Sequence, residues 1–433
     1  MYQAPRGTSD ILPHDQAYWR CIEKAVANIC QLYGYQRIDT PVFEDADLFV
    51  RSIGEETDIV EKEMYSFRDR RGDLLTLRPE GTAPVCRAYL EHGMHNLPQP
   101  VRLYYITPIF RYERPQAGRY RQHWQFGFEG LGSFDPALDA EVIDMACGLY
   151  RHLGLRDMVL KLNSIGCRRC RPQYLESLRE YYSGKVNLLC ADCKRRLERN
   201  ALRLLDCKEE SCFPLTEQSP KSSDYLCTEC KDHFDFLKKY LVILGLEFDL
   251  DHRLVRGLDY YTKTVFEIYP PGEKGAQSTV GGGGRYDDLI GAIGGRPTPA
   301  VGFATGIERM ILNLKRQNIS PPPLPQPTTF VAFLGQEAKD KAVEYVAQMR
   351  REGIGVILAS GNRSLKAQLR HADVLGAAGA IIIGEEELRD GMIVWRDMTR
   401  GEQQRLSFEE ALSLVRSLEP GAQSREARGT TDY

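Results

Sequence analysis

Residues 254–267 read LVRGLDYYTKTVFE, apolar at both ends and polar and aromatic between. Val265 and Phe266, β-branched then aromatic, suit a strand. The stretch therefore predicts a strand entered through Arg256, Asp259, Tyr260 and Tyr261. Arginine carries a fixed charge in a planar fork that matches carboxylate or phosphate. Tyrosine hydroxyls donate or accept at the edge of an apolar pocket, and Gly257 lets the backbone turn or approach a ligand closely. Two readings fit this chemistry alone: an anion site at a strand entrance, or an entrance held by a structural Arg–Asp ion pair.

The rest of the 433-residue chain is long enough for about three domains. With 42% hydrophobic and 27% charged residues it has the balance of a soluble globular protein. It has no apolar run of membrane-spanning length, and its N-terminus, MYQAPRGTSDILP, lacks a basic region leading an apolar core. A cytosolic (cytoplasmic) protein with no membrane association is expected. The formal net charge of −3 counts mildly against a nucleic-acid partner, although local basic surfaces do the steering.

Residues 15–33 have helical spacing, with Trp19, Ile22, Ala25, Ile29 and Leu32 on one face. Residues 35–42 predict a strand that Pro41 puts at an edge or a bend. Residues 64–67 and 74–77 predict paired strands. In the LRPEGT run that follows, Arg78, Glu80 and Thr82 alternate, which on a strand puts them on one face. A carboxylate and a hydroxyl facing a cleft would hold an ammonium group; a surface strand end is the plainer reading. Residues 101–111 and 123–129 predict a strand–loop–strand unit whose loop, 113–122, is ERPQAGRYRQ. On the return strand Trp124, Phe126 and Phe128 share one face, and Gln125 and Glu129 share the other. The latter two are either ligands or solvated polar residues. Residues 136–153 predict a helix and 158–163 a strand. The glycines at 281–284 suggest close backbone approach to a ligand, and PAVGFATGIERM at 299–310 predicts a strand running into a helix.

Eight of the 12 cysteines fall between positions 167 and 230. They pair as Cys167 and Cys170, Cys190 and Cys193, Cys207 and Cys212, Cys227 and Cys230. Each spacing suits tetrahedral zinc, so the pairs would build one or two structural sites. The other reading is a reduced helical insert whose thiols act as small buried apolar groups. Lys194, Arg195, Arg196, Arg199 and Arg203, against the single acid Glu198, predict a basic helix that suits RNA phosphates or solvent.

VRGLDYYT with TVFE resembles the histidine-specific motif of the histidyl-tRNA synthetases. RIDTPVFED at 37–45, FRYERP followed by GRYRQ, and GIERM at 306–310 resemble motifs one, two and three of class II aminoacyl-tRNA synthetases, in that order. The likeness spans residues 5 to about 418. It implies an α+β catalytic domain built on an antiparallel sheet at 1–165 and 237–319, with a helical Cys-rich insertion at 166–236. A Pro-rich linker, 320–327, would be stiff and extended. Residues 328–420 would form an anticodon-binding α/β domain with a mostly parallel sheet, as alternating strands and helices also predict. Residues 421–433 would be a disordered tail.

The resemblance further implies a histidine–tRNA ligase acting as a homodimer through motif one. Its substrates would be L-histidine, ATP with Mg2+, and tRNA(His). Arg111 and Arg256 would be catalytic, facing each other across the α-phosphate, where charge builds during adenylate formation. Glu113 and Arg309 would complete the ATP site. Glu80 and Thr82 would take the α-amino group of histidine, Gln125 would contact the histidine and Glu129 would accept a hydrogen bond from its imidazole, with Tyr260, Tyr261 and Tyr286 lining the pocket. A pocket that satisfies both imidazole nitrogens rejects isosteres. Gln116, Arg119 and Arg121 would reach the RNA acceptor end. Two other readings stand beside the ligase: a non-catalytic relative such as the regulatory subunit of ATP phosphoribosyltransferase, and a histidine sensor joined to an RNA-binding module. Arg111, Arg256, Arg309 and the C-terminal domain favour the enzyme.

Overall fold

Trp19, Ile22, Ala25, Val26, Ile29 and Cys30 form the buried face of the first helix, α1 (Gln16–Leu32), as its spacing requires, whereas Leu32, expected on that face, is exposed at the helix end. The computed structural model describes residues 2–115, 118–207, 209–272, 279–361 and 363–418. They fall into two units, divided between Pro322 and Pro323.

After α1 the expected strand over 35–42 shrinks to β1 (Gln36–Arg37). The chain bends at Thr40 and Pro41, and buried Arg78 fills the bend, donating to the carbonyls of Thr40 (2.9 Å), Pro41 (3.1 Å) and Pro108 (2.9 Å). β2 (Phe43–Asp45) leads into α2 (Ala46–Ile53), whose first turn is capped by the Asp45 carboxylate. β3 (Tyr65–Arg68) and β4 (Leu74–Leu77) follow, and the small antiparallel sheet has the order β2-β4-β3. The alternation of Arg78, Glu80 and Thr82 is not a strand. β4 ends at Leu77 and α3 (Thr82–Glu91) begins at Thr82. The Glu80 carboxylate accepts the amides of Thr82 and Ala83, both at 2.7 Å, so it caps that helix.

The large sheet collects β5 (Val101–Phe110), β6 (Gln122–Leu131), β7 (Val159–Ser164), β8 (Asp249–Leu250), β9 (Thr262–Tyr269), β10 (Gly281–Arg285) and β11 (Ala300–Gly306). With β1 its order is β1-β5-β6-β11-β10-β9-β7-β8. Its five inner pairings are antiparallel, and the edge pairs β1–β5 and β7–β8 are parallel. Phe126, Phe128, Phe266 and Phe303 point to one side and share a core with α1 and with α4 (Pro136–His152). Across the sheet Tyr105, Tyr260, Tyr261 and Tyr286 pack with Val85, Cys86 and Tyr89 of α3.

The insert consists of α5 (Arg171–Ser183), α6 (Ala191–Arg199), α7 (Phe213–Glu217) and the start of α8 (Thr228–Ile243). The expected edge at 236 falls inside α8, which runs on to bury Phe234, Leu237 and Leu241. The basic helix is also divided: α6 ends at Arg199, and Arg203 lies on a 3-10 turn, Ala201–Leu204. α9 (Leu289–Ala292) and α10 (Ile307–Arg316) complete the first unit.

The second unit contains β12 (Thr329–Phe333), α11 (Gln336–Arg351), β13 (Val356–Leu358), α12 (Leu365–Val374), β14 (Gly379–Ile383), α13 (Glu385–Asp390), β15 (Ile393–Asp397), β16 (Gln403–Leu406) and α14 (Phe408–Leu418). Strand order is β13-β12-β14-β15-β16. β12 pairs parallel with β13 and β14, but β14–β15 and β15–β16 are antiparallel, so the sheet is mixed rather than mostly parallel. The β15–β16 pairing has a local cause: Asp397 accepts the amides of Thr399 and Arg400, both at 2.8 Å, and turns the chain straight back without a crossover. The expected tail at 421–433 lies outside the described residues. No helix among the described residues is long and apolar enough to cross a membrane.

Candidate active site

Arg111 leaves the end of β5 with its guanidinium already aimed, Nε donating to the Pro79 carbonyl at 2.7 Å. Glu113 lies beyond it, 3.8 Å from Arg111 and 3.3 Å from Arg119. Arg309, on the first turn of α10, donates to the carbonyls of Thr279 (2.6 Å) and Gly118 (3.2 Å). Arg256 enters from the loop before β9 and pairs with Glu267, which also accepts the hydroxyls of Tyr269 and Thr279. The alternative of an Arg256–Asp259 pair is not what forms. Asp259 instead accepts from the Asn200 side-chain amide at 2.9 Å. Burial opposes the Arg256 charge most strongly, but Glu267 together with Tyr261 and Tyr260 outweighs it and raises the guanidinium pKa.

Arg111, Glu113, Gln125, Arg256, Gly282 and Arg309 line one cleft, with a cavity of about 170 Å³. Gly282 admits Arg256, since a Cβ there would lie 2.7 Å from Nη1. Arg256 Nε and Gln125 Oε1 are buried without a protein partner, which leaves hydrogen-bonding capacity for a ligand. His123 lines the same cleft; burial, with Arg111 and Arg309 nearby, drives its pKa down to about 3. It is therefore neutral at physiological pH.

Glu80, Thr82, Glu129, Tyr260, Tyr261 and Tyr286 form a second, fully enclosed group beside the cleft. Glu129 accepts the hydroxyls of Thr82 (2.8 Å), Tyr105 (3.3 Å) and Tyr286 (2.5 Å). Burial pushes its pKa up to about 8 against those bonds. Across the β6–β11 pairing Glu129 faces Gly302, where a Cβ would lie 1.7 Å from its Oε2. Tyr260 packs on Tyr261 and Tyr286, with ring centroids 4.8 and 5.6 Å apart. The Arg256 guanidinium lies 5.8 Å from the Tyr261 ring and links the two groups.

Arg119 belongs to the cleft rim, whereas Arg121 is taken up by the fold: it stacks 3.8 Å over Tyr112 and donates to the Glu113 carbonyl. Gln116 lies outside the described residues. Sequence reasoning missed Glu267, Tyr105, Thr279, Glu308 and His123. Glu308 accepts the Trp124 amide at 2.9 Å, and burial raises its pKa to about 7. Glu267 stands in the TVFE run itself; its pairing with Arg256 depends on how the loop folds onto β9.

The eight insert thiols assort into two groups: Cys167, Cys170, Cys227 and Cys230, and Cys190, Cys193, Cys207 and Cys212. Within each group the sulfurs lie within 4.8 Å of one another. Close pairs stand at 3.8 to 3.9 Å, where a tetrahedron with metal–sulfur bonds of about 2.3 Å has edges of about 3.8 Å. The sulfur set, its number and its spacing fit zinc. The distance is far beyond a disulfide bond of about 2.05 Å.

A family model described as histidyl-tRNA synthetase matches residues 7–310, and one described as an anticodon binding domain matches 328–418. A histidine–tRNA ligase of Dehalococcoides mccartyi (strain ATCC BAA-2266 / KCTC 15142 / 195) is 58% identical over 416 residues, covering 96% of this chain and 99% of its own. That of Desulforamulus reducens is 49% identical, covering 95% and 98%. The crystal structure of apo S. aureus histidyl-tRNA synthetase superposes with a TM-score of 0.80 at 36% identity, covering 96% of this chain and 100% of that one.

Proposed function

Because the chain belongs to the histidyl-tRNA synthetase family and is a histidine–tRNA ligase, we propose that the cleft of Arg111, Arg256 and Arg309 is where it joins L-histidine to AMP. The histidyl group then passes to the 3′ end of tRNA(His). The observation that carries this assignment is the convergence of three guanidiniums on one cleft that also holds Gln125. ATP would enter as its magnesium complex, the ion offsetting charge on the phosphates. Glu113 accepts the adenine amino group and Arg309 steadies the nucleotide. The histidine carboxylate attacks the α-phosphate in line, with Arg111 and Arg256 on either side of the charge that develops. Both are held by protein acceptors in advance, so little reorganisation is needed as the bond forms. No side-chain nucleophile takes part.

The enclosed group supplies specificity. Glu80 and Thr82 face the α-amino group, and Glu129 and Gln125 the imidazole, between Tyr260, Tyr261 and Tyr286. Glu129 is already oriented by three hydroxyls, so its acceptor geometry is set before histidine arrives. Arg119, on the cleft rim, reaches the RNA acceptor end, and residues 328–418 take the anticodon. Val42, Phe43, Phe67 and Leu74 stand exposed on and beside the small sheet, an apolar patch that supports a homodimer seam there. The two thiol groups serve as structural zinc sites in the insert.

Arg256→Lys tests the catalytic assignment. A lysine keeps the charge but loses the planar fork. Histidine-dependent ATP–pyrophosphate exchange should fall about a hundredfold, the scale of one lost preorganised donor, with a smaller loss of histidine binding. Near-normal turnover with only histidine affinity lost would make Arg256 a substrate-binding residue instead.

A further inference from the structure

The two cysteine groups stand in different places. Cys167 and Cys170 lie where the chain leaves the large sheet, and Cys227 and Cys230 where it returns at the start of α8, so this outer group ties the base of the insert. The inner group sits further along the insert and reaches the active site through what it holds. Between its second and third cysteines run Arg199, Asn200 and Arg203. Asn200 donates to the Asp259 carboxylate at 2.9 Å, and Arg203 donates to the Gly257 carbonyl at 3.1 Å. Arg199 and Arg203 also pair with Glu61 (2.7 Å) and Asp58 (3.7 Å). Those insert residues thus grip the loop 257–259 that follows Arg256, and the segment 58–61 beside it.

Apolar packing holds the far part of this segment, where Ala201, Leu204 and Leu205 are buried with Tyr174 and Leu178 of α5, but it holds α6 much less. α6 buries one residue, Cys193, and a helix of nine residues does not stand alone in water. The sulfurs of Cys190 and Cys207 are 3.8 Å apart, and Cys190 and Cys193 donate backbone amides to Cys212 and Cys190 sulfurs at 3.3 and 3.4 Å. Four thiols packed at that spacing repel when ionised and gain little when neutral. A divalent cation turns the cluster into the anchor for both ends of the 194–206 segment.

We propose that Cys190, Cys193, Cys207 and Cys212 bind a zinc ion that positions Arg256, by holding Asn200 and Arg203 on the Gly257–Asp259 loop. The inference rests on the reading that this cleft activates histidine. Asn200 and Arg203 are positioning residues: neither lines the cleft of Arg111, Arg256 and Arg309.

The test measures metal content and exchange on purified full-length protein, prepared without chelator. Wild type should carry about two zinc ions per chain and Cys212→Ser about one. Cys212→Ser should lower kcat for histidine-dependent pyrophosphate exchange by about tenfold or more, as misplaced catalytic groups do. The double variant Asn200→Ala with Arg203→Ala leaves every cysteine in place. It should keep both ions and the wild-type melting temperature of the catalytic unit, yet lose kcat to a similar degree with a smaller change in KM. Restoring Arg203 as lysine, a donor to the same carbonyl, should recover part of the rate. Wild-type protein without zinc, or a double variant with wild-type kcat, overturns the proposal. Wild-type protein that binds zinc but shows no histidine-dependent exchange overturns the functional reading instead.

Discussion

Glu129 is held by three hydroxyls, yet burial raises its carboxyl pKa to about 8. The folded protein therefore binds this proton more tightly than the unfolded chain, whose value is about 4.3. The stability it contributes is whole below about pH 4.3 and is lost as pH climbs to about 8, at up to about 1.4 kcal/mol per pH unit. Glu129→Gln should flatten that part of the profile. Melting temperatures of both proteins from pH 5 to 8 will show it, and parallel profiles would place the titration elsewhere. The pairing of Gln125 with Glu129 on one strand face was legible, because alternation on a real strand leaves no choice. Arg78, Glu80 and Thr82 show the same spacing but belong to a bend and a helix cap, and spacing alone does not separate the two. Tyr105 was not legible: its contact with Glu129 comes from strand pairing, not from its neighbours in sequence.

At the scale of elements, the β6–β11 pairing sets Gly302 against Glu129, and the β9–β10 pairing sets Gly282 against Glu267, the partner of Arg256. Gly302 leaves room for the Glu129 carboxylate and Gly282 for Arg256. Added volume in such places costs about 1–3 kcal/mol and displaces the neighbour. Gly302→Ala should raise KM for histidine about tenfold, whereas Gly282→Ala should lower kcat with less effect on KM. Steady-state exchange kinetics distinguish these outcomes, and equal effects of the two substitutions would contradict the division into two groups. The long helices α1 and α4 were legible from periodicity, since each buries a continuous apolar stripe. The Gly281–Gly284 run signalled a close approach without saying that Arg256 is what approaches. β1 came out short because Arg78, distant in sequence, fills the bend at Pro41. The hairpin of β15 and β16 escaped notice because Gln403–Leu406 is short and mostly exposed.

For the whole molecule, the division at Pro322 separates the cleft from the domain that matches the anticodon-binding family. A chain ending at Pro322 should keep adenylate formation and charge tRNA(His) far less efficiently. Equal charging by the fragment and the full chain would remove the second unit from RNA recognition. Phe43→Asp with Phe67→Asp puts charge into the proposed seam and should shift the protein from dimer to monomer in sedimentation. The most direct measurement is pyrophosphate exchange by the full-length chain, supplied with each amino acid in turn. Label should enter ATP with L-histidine and not with the others. Exchange that ignores which amino acid is present, or no exchange with histidine, would contradict the account.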